Sequence, residues 1–296
     1  MAVDTDKRIM LPIVPQSFKY GKKIVSRGRF IAVDSTTAMC KNSAMLNRGC
    51  GLPFDPWKGA VVKGAVKEVV EAAKKYINKP LKSISVLDVG CGHGEYSSEM
   101  SKFFGRVTGV EPLTNVYEEA IKRNSTIKNL KLYNYKIEDY WSNTKFDLIT
   151  HFTVFEHMET PKKGFDRIFS LLNKNGIIYL TAPNKYWLFE QHYGLPFLSW
   201  LPLPLANKYL ELAKGIKSYK DCSYSRGYGG MKAFFDQYDC QYEFILPFDE
   251  NSAYIGCGKD QPLFSLIKKI GISLIRFHPF FWNFSKGFIM VIRKNN

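Results

Sequence analysis

The apolar positions of this chain fall into two periods that take turns. Short apolar runs of strand length recur at residues 84–89, 107–110, 130–135, 146–150, 177–180, 242–247 and 287–292. Such runs, bounded by turn residues, predict buried strands. Between them the period lengthens toward that of a helix. Over 57–76, Val61, Val62, Ala65, Val66, Val69, Val70, Ala73 and Tyr76 form one stripe. Lys63, Lys67, Glu68, Glu71, Lys74 and Lys75 lie largely opposite, so this segment predicts an amphipathic helix that packs on the sheet before the first strand. Further helices are predicted at 161–172, 231–238 and 262–277. The last carries Leu263, Leu266, Ile267, Ile270, Leu274 and Phe277 on one side, with Lys268, Lys269 and Arg276 largely off it. A basic amphipathic helix of this kind can lie on a membrane, although core packing is the commoner role.

The fold class that follows is α/β, with a Rossmann-like sheet of seven mostly parallel strands and helices on both faces. Residues 1–56 read as an irregular N-terminal arm or lid, mixing Pro and Gly with basic residues. Residues 57–296 read as one catalytic domain, with an insertion at about 185–241 after strand five.

The first strand ends in the most informative stretch, Asp88-Val89-Gly90-Cys91-Gly92-His93-Gly94. Glycine supplies positive φ and removes the Cβ, so a ligand can touch the backbone of such a turn. The helix that follows points free N–H groups at the same place. A dinucleotide site wants Gly-x-Gly-x-x-Gly. Here the spacing is Gly-x-Gly-x-Gly, and Asp88 stands so close that a pyrophosphate would meet another anion. A ligand with a cationic end fits better. The second strand ends in Glu111-Pro112, 23 residues after Asp88, where a carboxylate can accept from two ribose hydroxyls.

The Asp-x-Gly-x-Gly-x-Gly string resembles motif I of the class I S-adenosylmethionine methyltransferases. Continuously over about residues 84–184, the chain resembles the ubiquinone-biosynthesis type of O-methyltransferase. The resemblance implies S-adenosylmethionine as cofactor, held by Asp88, Gly90, Cys91, Gly92, Gly94, Glu111 and Pro112. It places the adenine near Ile137 and Glu138 or Asp139, although many relatives have an acid where Lys136 stands, and it adds Phe152 to the cofactor set. It also makes strand seven antiparallel. The strand-four exit reads His151-Phe152-Thr153-Val154-Phe155-Glu156-His157. His157, with Glu156, is the leading candidate to take a proton from an acceptor hydroxyl, since imidazole titrates near neutrality; His151 is the second. In the quinone-type relatives the Glu-His pair can instead help hold a divalent metal. A further acid usual there is Thr153 in this chain, and no metal is assigned.

The insertion contains Glu190-Gln191-His192-Tyr193-Gly194-Leu195-Pro196. The string looks like that of methyltransferases from polysaccharide and lipid-linked glycan pathways. A segment leaving strand five starts beside the ligand edge of the sheet, so Glu190, His192 and Tyr193 are candidate substrate residues. The alternative is that Glu190 and His192 cap the insertion's own backbone.

Charge and cysteine count add less. Of the net +15, residues 1–82 carry 16 Lys/Arg against 6 Asp/Glu, and the segment after Asp260 has six Lys/Arg and no acid. A basic surface meets nucleic acid, anionic lipid or a phosphate-bearing substrate, or is merely solvated. The six cysteines include no Cys-x-x-Cys pair, so a zinc knuckle is unsupported. With no signal-peptide pattern and no long apolar run, a cytoplasmic enzyme is expected, with peripheral membrane contact open. The leading expectation is an O-methyltransferase of a small, glycan or lipid-linked acceptor. Two alternatives stand: an RNA or DNA methyltransferase using the basic arm, and a S-adenosylmethionine-binding regulatory protein without turnover. The Asn/Asp-Pro-Pro-Tyr signature of base amino-group methylation does not follow strand four.

Overall fold

The computed structural model of the chain describes residues 59–250 and 262–295. The expected arm, residues 1–56, lies outside the described residues. Among the described residues fourteen helices and strands follow one another, α3 and α5 beyond those the hydrophobic periods predict: α1 (Gly59–Tyr76), β1 (Ser85–Val89), α2 (Glu95–Ser101), β2 (Arg106–Val110), α3 (Thr114–Asn124), β3 (Leu130–Tyr133), β4 (Phe146–Phe152), α4 (Pro161–Leu171), β5 (Leu172–Pro183), α5 (Leu203–Lys214), α6 (Tyr228–Phe235), β6 (Cys240–Phe244), α7 (Pro262–Phe277) and β7 (Gly287–Lys294). The sheet order is β3-β2-β1-β4-β5-β7-β6. β1 to β5 run parallel, and β7 is antiparallel to both β5 and β6.

Alternation along each strand sends its side chains to two layers. Leu87, Val89, Ile149, Ile178, Leu180, Met290 and Ile292 meet α4 and α6 through Phe165, Ile168, Met231, Phe234 and Phe235. Val86, Leu148, Ile177, Tyr179 and Val291 meet α1, α2 and α3 through Val66, Val69, Met100 and Ala120. The central strands β1 and β4 are buried on both faces, which is why their runs read as nearly continuous apolar stretches.

Five expectations need correction. Strand six forms at Cys240–Phe244 rather than 242–247, and the helix before it at Tyr228–Phe235 rather than 231–238. The strand predicted at 177–180 begins earlier, at Leu172, through an irregular Asn173-Lys174-Asn175-Gly176 stretch where the register with β4 jumps from Phe146↔Leu172 to Leu148↔Ile177. Glu68, placed on the polar face of α1, is buried; its carboxylate accepts from the N–H groups of Phe248 (2.6 Å) and Asp249 (2.8 Å), docking the loop after β6. On α7, Leu266, Ile267, Ile270, Leu274 and Phe277 are exposed, whereas Ile272 is buried and Ile275 packs on the core. The stripe read as core-packing therefore faces outward.

Candidate active site

The parallel strands β1, β2, β4 and β5 deliver their carboxyl ends to one edge of the sheet, and the predicted residues gather there in two groups. The first is the glycine turn after β1. Gly90, Gly92 and Gly94 take φ of +67°, +55° and +82°, a region costly to residues with a Cβ. A Cβ on Gly90 would stand 2.6 Å from Val154 Cγ2, and one on Gly94 2.7 Å from Asn124 Nδ2. The turn is held by N–H groups of Gly90 and Cys91 donating to Val110 O (2.9 and 3.0 Å). Glu111 stitches it to the β2 exit: its Oε2 accepts from Gly92 N (3.0 Å) and its Oε1 from Leu113 N (2.9 Å). Cys91 is buried, and Pro112 is exposed.

Asp88 is 2% exposed. Ser97 Oγ donates to one carboxylate oxygen (2.5 Å) and Thr150 Oγ1 to the other (2.8 Å). Burial raises its pKa to about 6; the two hydroxyls oppose the shift and nearby Glu111 adds to it. Glu111 is raised too, by burial against the pull of its two N–H donors. Among the described residues no lysine or arginine forms a salt bridge with either. Phe152 closes this side by stacking on Tyr96, centroids 4.6 Å apart. Ile137 is buried in the core layer beneath α4, and Glu138 is half-buried.

The second group forms where the β4 exit meets the insertion. The chain leaves β4 through Thr153 at φ +47°, a strained conformation for a β-branched residue. It is fixed there by Thr153 N donating to Thr181 O (3.0 Å). The next turn, Phe155–His157, carries Glu156 and His157. Glu156 is 1% exposed and neither oxygen has a hydrogen-bond partner. Its Oε1 stands 4.0 Å from His157 Nε2 and 3.8 Å from His192 Nε2. Burial raises Glu156 to about 7, with His192 opposing.

The two imidazoles meet edge to face, 5.0 Å between centroids. His157 Nδ1 lies 2.6 Å from Asp221 O. A carbonyl only accepts, so Nδ1 carries the proton and Nε2 is free. Burial, with His192 beside it, lowers His157 to about 4, so its ring is neutral at pH 7. His192 Nδ1 is bound by Glu190 Oε1 (2.7 Å). Burial alone would depress His192, but Cys222 and Glu190 outweigh it and hold it well above the usual imidazole range. Glu190 Oε2 also accepts from the N–H groups of His192 (2.9 Å) and Tyr193 (2.7 Å). Glu190 thus caps its own turn, as the alternative reading of the insertion has it, and by doing so it orients His192. Tyr193 is half-buried against Tyr219, ring centroids 6.0 Å apart.

His151 stands apart. Successive side chains of a strand face opposite layers. Thr150 points to Asp88, so His151 points to α4, where it packs on Phe165 with both ring nitrogens unpartnered. Burial lowers it to about 3. Sequence reasoning missed Ser97 and Thr150, which hold Asp88, and Asp221 and Cys222, which close the second group. No local spacing joins residue 222 to residues 157 and 192; only the folded insertion does.

A family model described as a methyltransferase domain matches residues 63–221. Among curated proteins, the chain is 32% identical over 132 residues to the ubiquinone biosynthesis O-methyltransferase of Pelagibacter ubique, covering 43% of this chain and 54% of that one. It is 22% identical over 184 residues to the mitochondrial ubiquinone biosynthesis O-methyltransferase of Dictyostelium discoideum, covering 58% and 54%. The chain therefore spans about half the length of these curated relatives. Among solved structures, it resembles the plantazolicin methyltransferase BamL in complex with a triazolic desmethylPZN analog and SAH. That match has a TM-score of 0.54 and 17% identity, with 88% of this chain and 91% of that one covered. The glycine turn, the sheet order and the family match agree: the chain belongs to the class I S-adenosylmethionine-dependent methyltransferases.

Proposed function

We propose that the chain moves a methyl group from S-adenosylmethionine to a hydroxyl of a small, glycan or lipid-linked acceptor, with the acceptor seated against Glu156, His157 and His192. The observation that carries this reading is the meeting of two sequence-distant groups, Glu156–His157 after β4 and Glu190–His192 after β5, at the ligand edge of the sheet.

The residues of the first group suit the cofactor. Three positive-φ glycines leave the turn without side chains, and two raised, buried carboxylates that pair with no lysine or arginine among the described residues favour a ligand that brings positive charge. S-adenosylmethionine supplies, when bound, a methyl already activated on a sulfonium. Asp88 would take its cationic amino acid end and Glu111 its ribose hydroxyls. In the second group, His157 Nε2 is the proton acceptor: its side chain is 26% exposed while Glu156 behind it is 1% exposed. The buried Glu156 carboxylate favours the imidazolium that forms. Holding the hydroxyl beside that nitrogen and in line with the methyl supplies orientation as well as proton transfer.

A lipid-linked acceptor is supported by α7. Its exposed Leu266, Ile267, Ile270 and Phe277 continue into exposed Phe280 and Phe284. No acid occurs after Asp260 to repel an anionic surface. That aromatic turn is tied to the site cover, since Asn184 Nδ2 donates to Asn283 O (3.0 Å) and Gln191 Nε2 to Lys286 O (2.8 Å). No helix among the described residues is long and apolar enough to cross a membrane.

The test is incubation with methyl-labelled S-adenosylmethionine and a lysate of the source organism, followed by separation into lipid, glycan, small-molecule and nucleic-acid fractions. Label in the lipid, glycan or small-molecule fraction is expected. His157→Ala should lower turnover about 10²–10⁴-fold with S-adenosylhomocysteine binding unchanged. Label in nucleic acid would favour the basic-arm reading, and unchanged turnover in the variant would remove the base role.

A further inference from the structure

We propose that the second group is a binding site for one divalent transition-metal ion of the zinc class, with His157 Nε2, His192 Nε2 and Cys222 Sγ as ligands and the Glu156 carboxylate completing the set. The donor atoms of the three first-named residues all lie within 4.8 Å of one another. Glu156 Oε1 lies 3.8 and 4.0 Å from the two imidazole nitrogens. Tetrahedral zinc bonds of about 2.0–2.3 Å set ligand atoms about 3.3–3.8 Å apart. Small side-chain movements close the cluster to that spacing.

Three features beyond proximity point to an ion. The first is tautomer control. Each imidazole has its Nδ1 engaged by an acceptor, Asp221 O for His157 and Glu190 Oε1 for His192. Each Nε2 is thereby turned inward, the arrangement by which a carbonyl or carboxylate prepares a histidine for metal. The second is Glu156, buried with neither oxygen hydrogen-bonded. Its nearest positive group, His192 Nε2 at 3.8 Å, stands outside hydrogen-bond reach, and a cation among the four side chains would supply the direct contact that burial demands. The third is the donor chemistry. Two imidazoles, a thiol and one carboxylate suit zinc or cobalt, whereas magnesium asks for six oxygens.

The sequence expectation of no metal rested on Thr153 standing in place of a further acid, and the lack of paired cysteines spoke only against a zinc knuckle. The ligands instead come from a turn after β4 and two separate points of the insertion, at 192 and 222. The site also differs from the metal set that the quinone-type resemblance implies. Thr153 replaces the further acid, and the insertion supplies nitrogen and sulfur, so the preferred ion changes class. Binding itself does not depend on methyl transfer; only its catalytic consequence rests on the function proposed above. With the ion bound, the His157 lone pair would be committed to it, and His157 would hold the metal instead of taking a proton from the acceptor.

The test is cobalt titration of the chelator-stripped full chain, followed by absorption. We expect one equivalent to give tetrahedral visible bands and a thiolate-to-cobalt charge-transfer band, both lost when zinc is added. Cys222→Ser should abolish the charge-transfer band, and Cys240→Ser should leave it intact. Glu190→Gln, which spares all ligands, should weaken cobalt binding about 10–100-fold. S-adenosylhomocysteine binding at the glycine turn reports that each variant is folded. Absence of the charge-transfer band in the parent, or its persistence in Cys222→Ser, overturns the proposal. Cobalt binding without turnover refutes only the methyl-transfer reading, and turnover with no cobalt bound refutes only this one.

Discussion

Replacing Asp88 by Asn should stabilise the protein at alkaline pH while abolishing cofactor binding. The carboxyl is 2% exposed, and burial raises its pKa from 3.8 to about 6. A raised folded-state pKa means that the folded chain holds the proton more tightly than the unfolded chain. That contribution to stability is complete below pH 3.8 and is lost as the pH rises through about 6. Two pKa units correspond to about 3 kcal/mol by pH 8, and about half of that is already lost by pH 5, where the unfolded carboxyl is mostly ionised. Asparagine has the same shape and does not ionise. One of the Ser97 and Thr150 hydroxyls must turn from donor to acceptor, which a hydroxyl can do. Urea unfolding of parent and variant at pH 5 and pH 8 measures the difference. The variant should gain stability on the parent by about 1–2 kcal/mol between the two pH values. Calorimetry with S-adenosylhomocysteine should show no binding by the variant. An equal stability difference at both pH values would refute the burial argument, and retained binding would refute the cofactor role.

Two further substitutions probe other links. Gly90→Ala puts a Cβ 2.6 Å from Val154 Cγ2 at a φ of +67°, so urea unfolding should show a loss of about 1–3 kcal/mol, and Val154→Ala on top should recover part of it. On α7, Ile267→Asp with Ile270→Asp removes apolar area from exposed positions, so unfolding should change little, whereas sedimentation with phosphatidylglycerol vesicles should fall from bound to free. Parent protein that stays free of such vesicles would instead leave the outward stripe to a cover within the chain.

The elements were legible because strand and helix periods differ and each run was bounded by glycine, proline or charge. The glycine turn was legible because its function needs three absent Cβ atoms, a constraint written directly in residue identity. What escaped were consequences of packing between distant segments. Glu68 looks like any solvated helix glutamate until the loop at Phe248 and Asp249 arrives to donate two N–H groups. His151 looks like a partner of His157, six residues on, yet strand alternation turns it away from Asp88 to pack beside Phe165, with neither ring nitrogen hydrogen-bonded. The outward face of α7 has the pattern of a core stripe, because periodicity reports that a helix is two-faced and not which face is covered.

The buried carboxylates show how such ambiguity resolves once partners are known. Asp147 is held below its usual range despite burial, because Lys79 lies 2.6 Å away and Ser85 and Asn173 donate to it. Glu190 is also low, held against burial by His192 and two backbone N–H groups. Each is complete within the fold, and each fixes something: the starts of β1 and β4, or the His192 ring. Glu68 is raised, but both its oxygens are taken by backbone donors, so its task is docking. Asp88 and Glu156 differ from all three. One is held only by hydroxyls, which can serve either protonation state, and the other by no hydrogen bond at all. Burial without a hydrogen-bonding N–H donor is a standing cost to the folded chain, offset at Glu156 only by the His192 imidazole 3.8 Å away, and a ligand that supplies positive charge to either carboxylate returns free energy as affinity. On the function and the ion site proposed above, the two carboxylates would mark the two halves of the active site, Asp88 meeting the cationic end of the methyl donor and Glu156 the ion or proton that accompanies the acceptor.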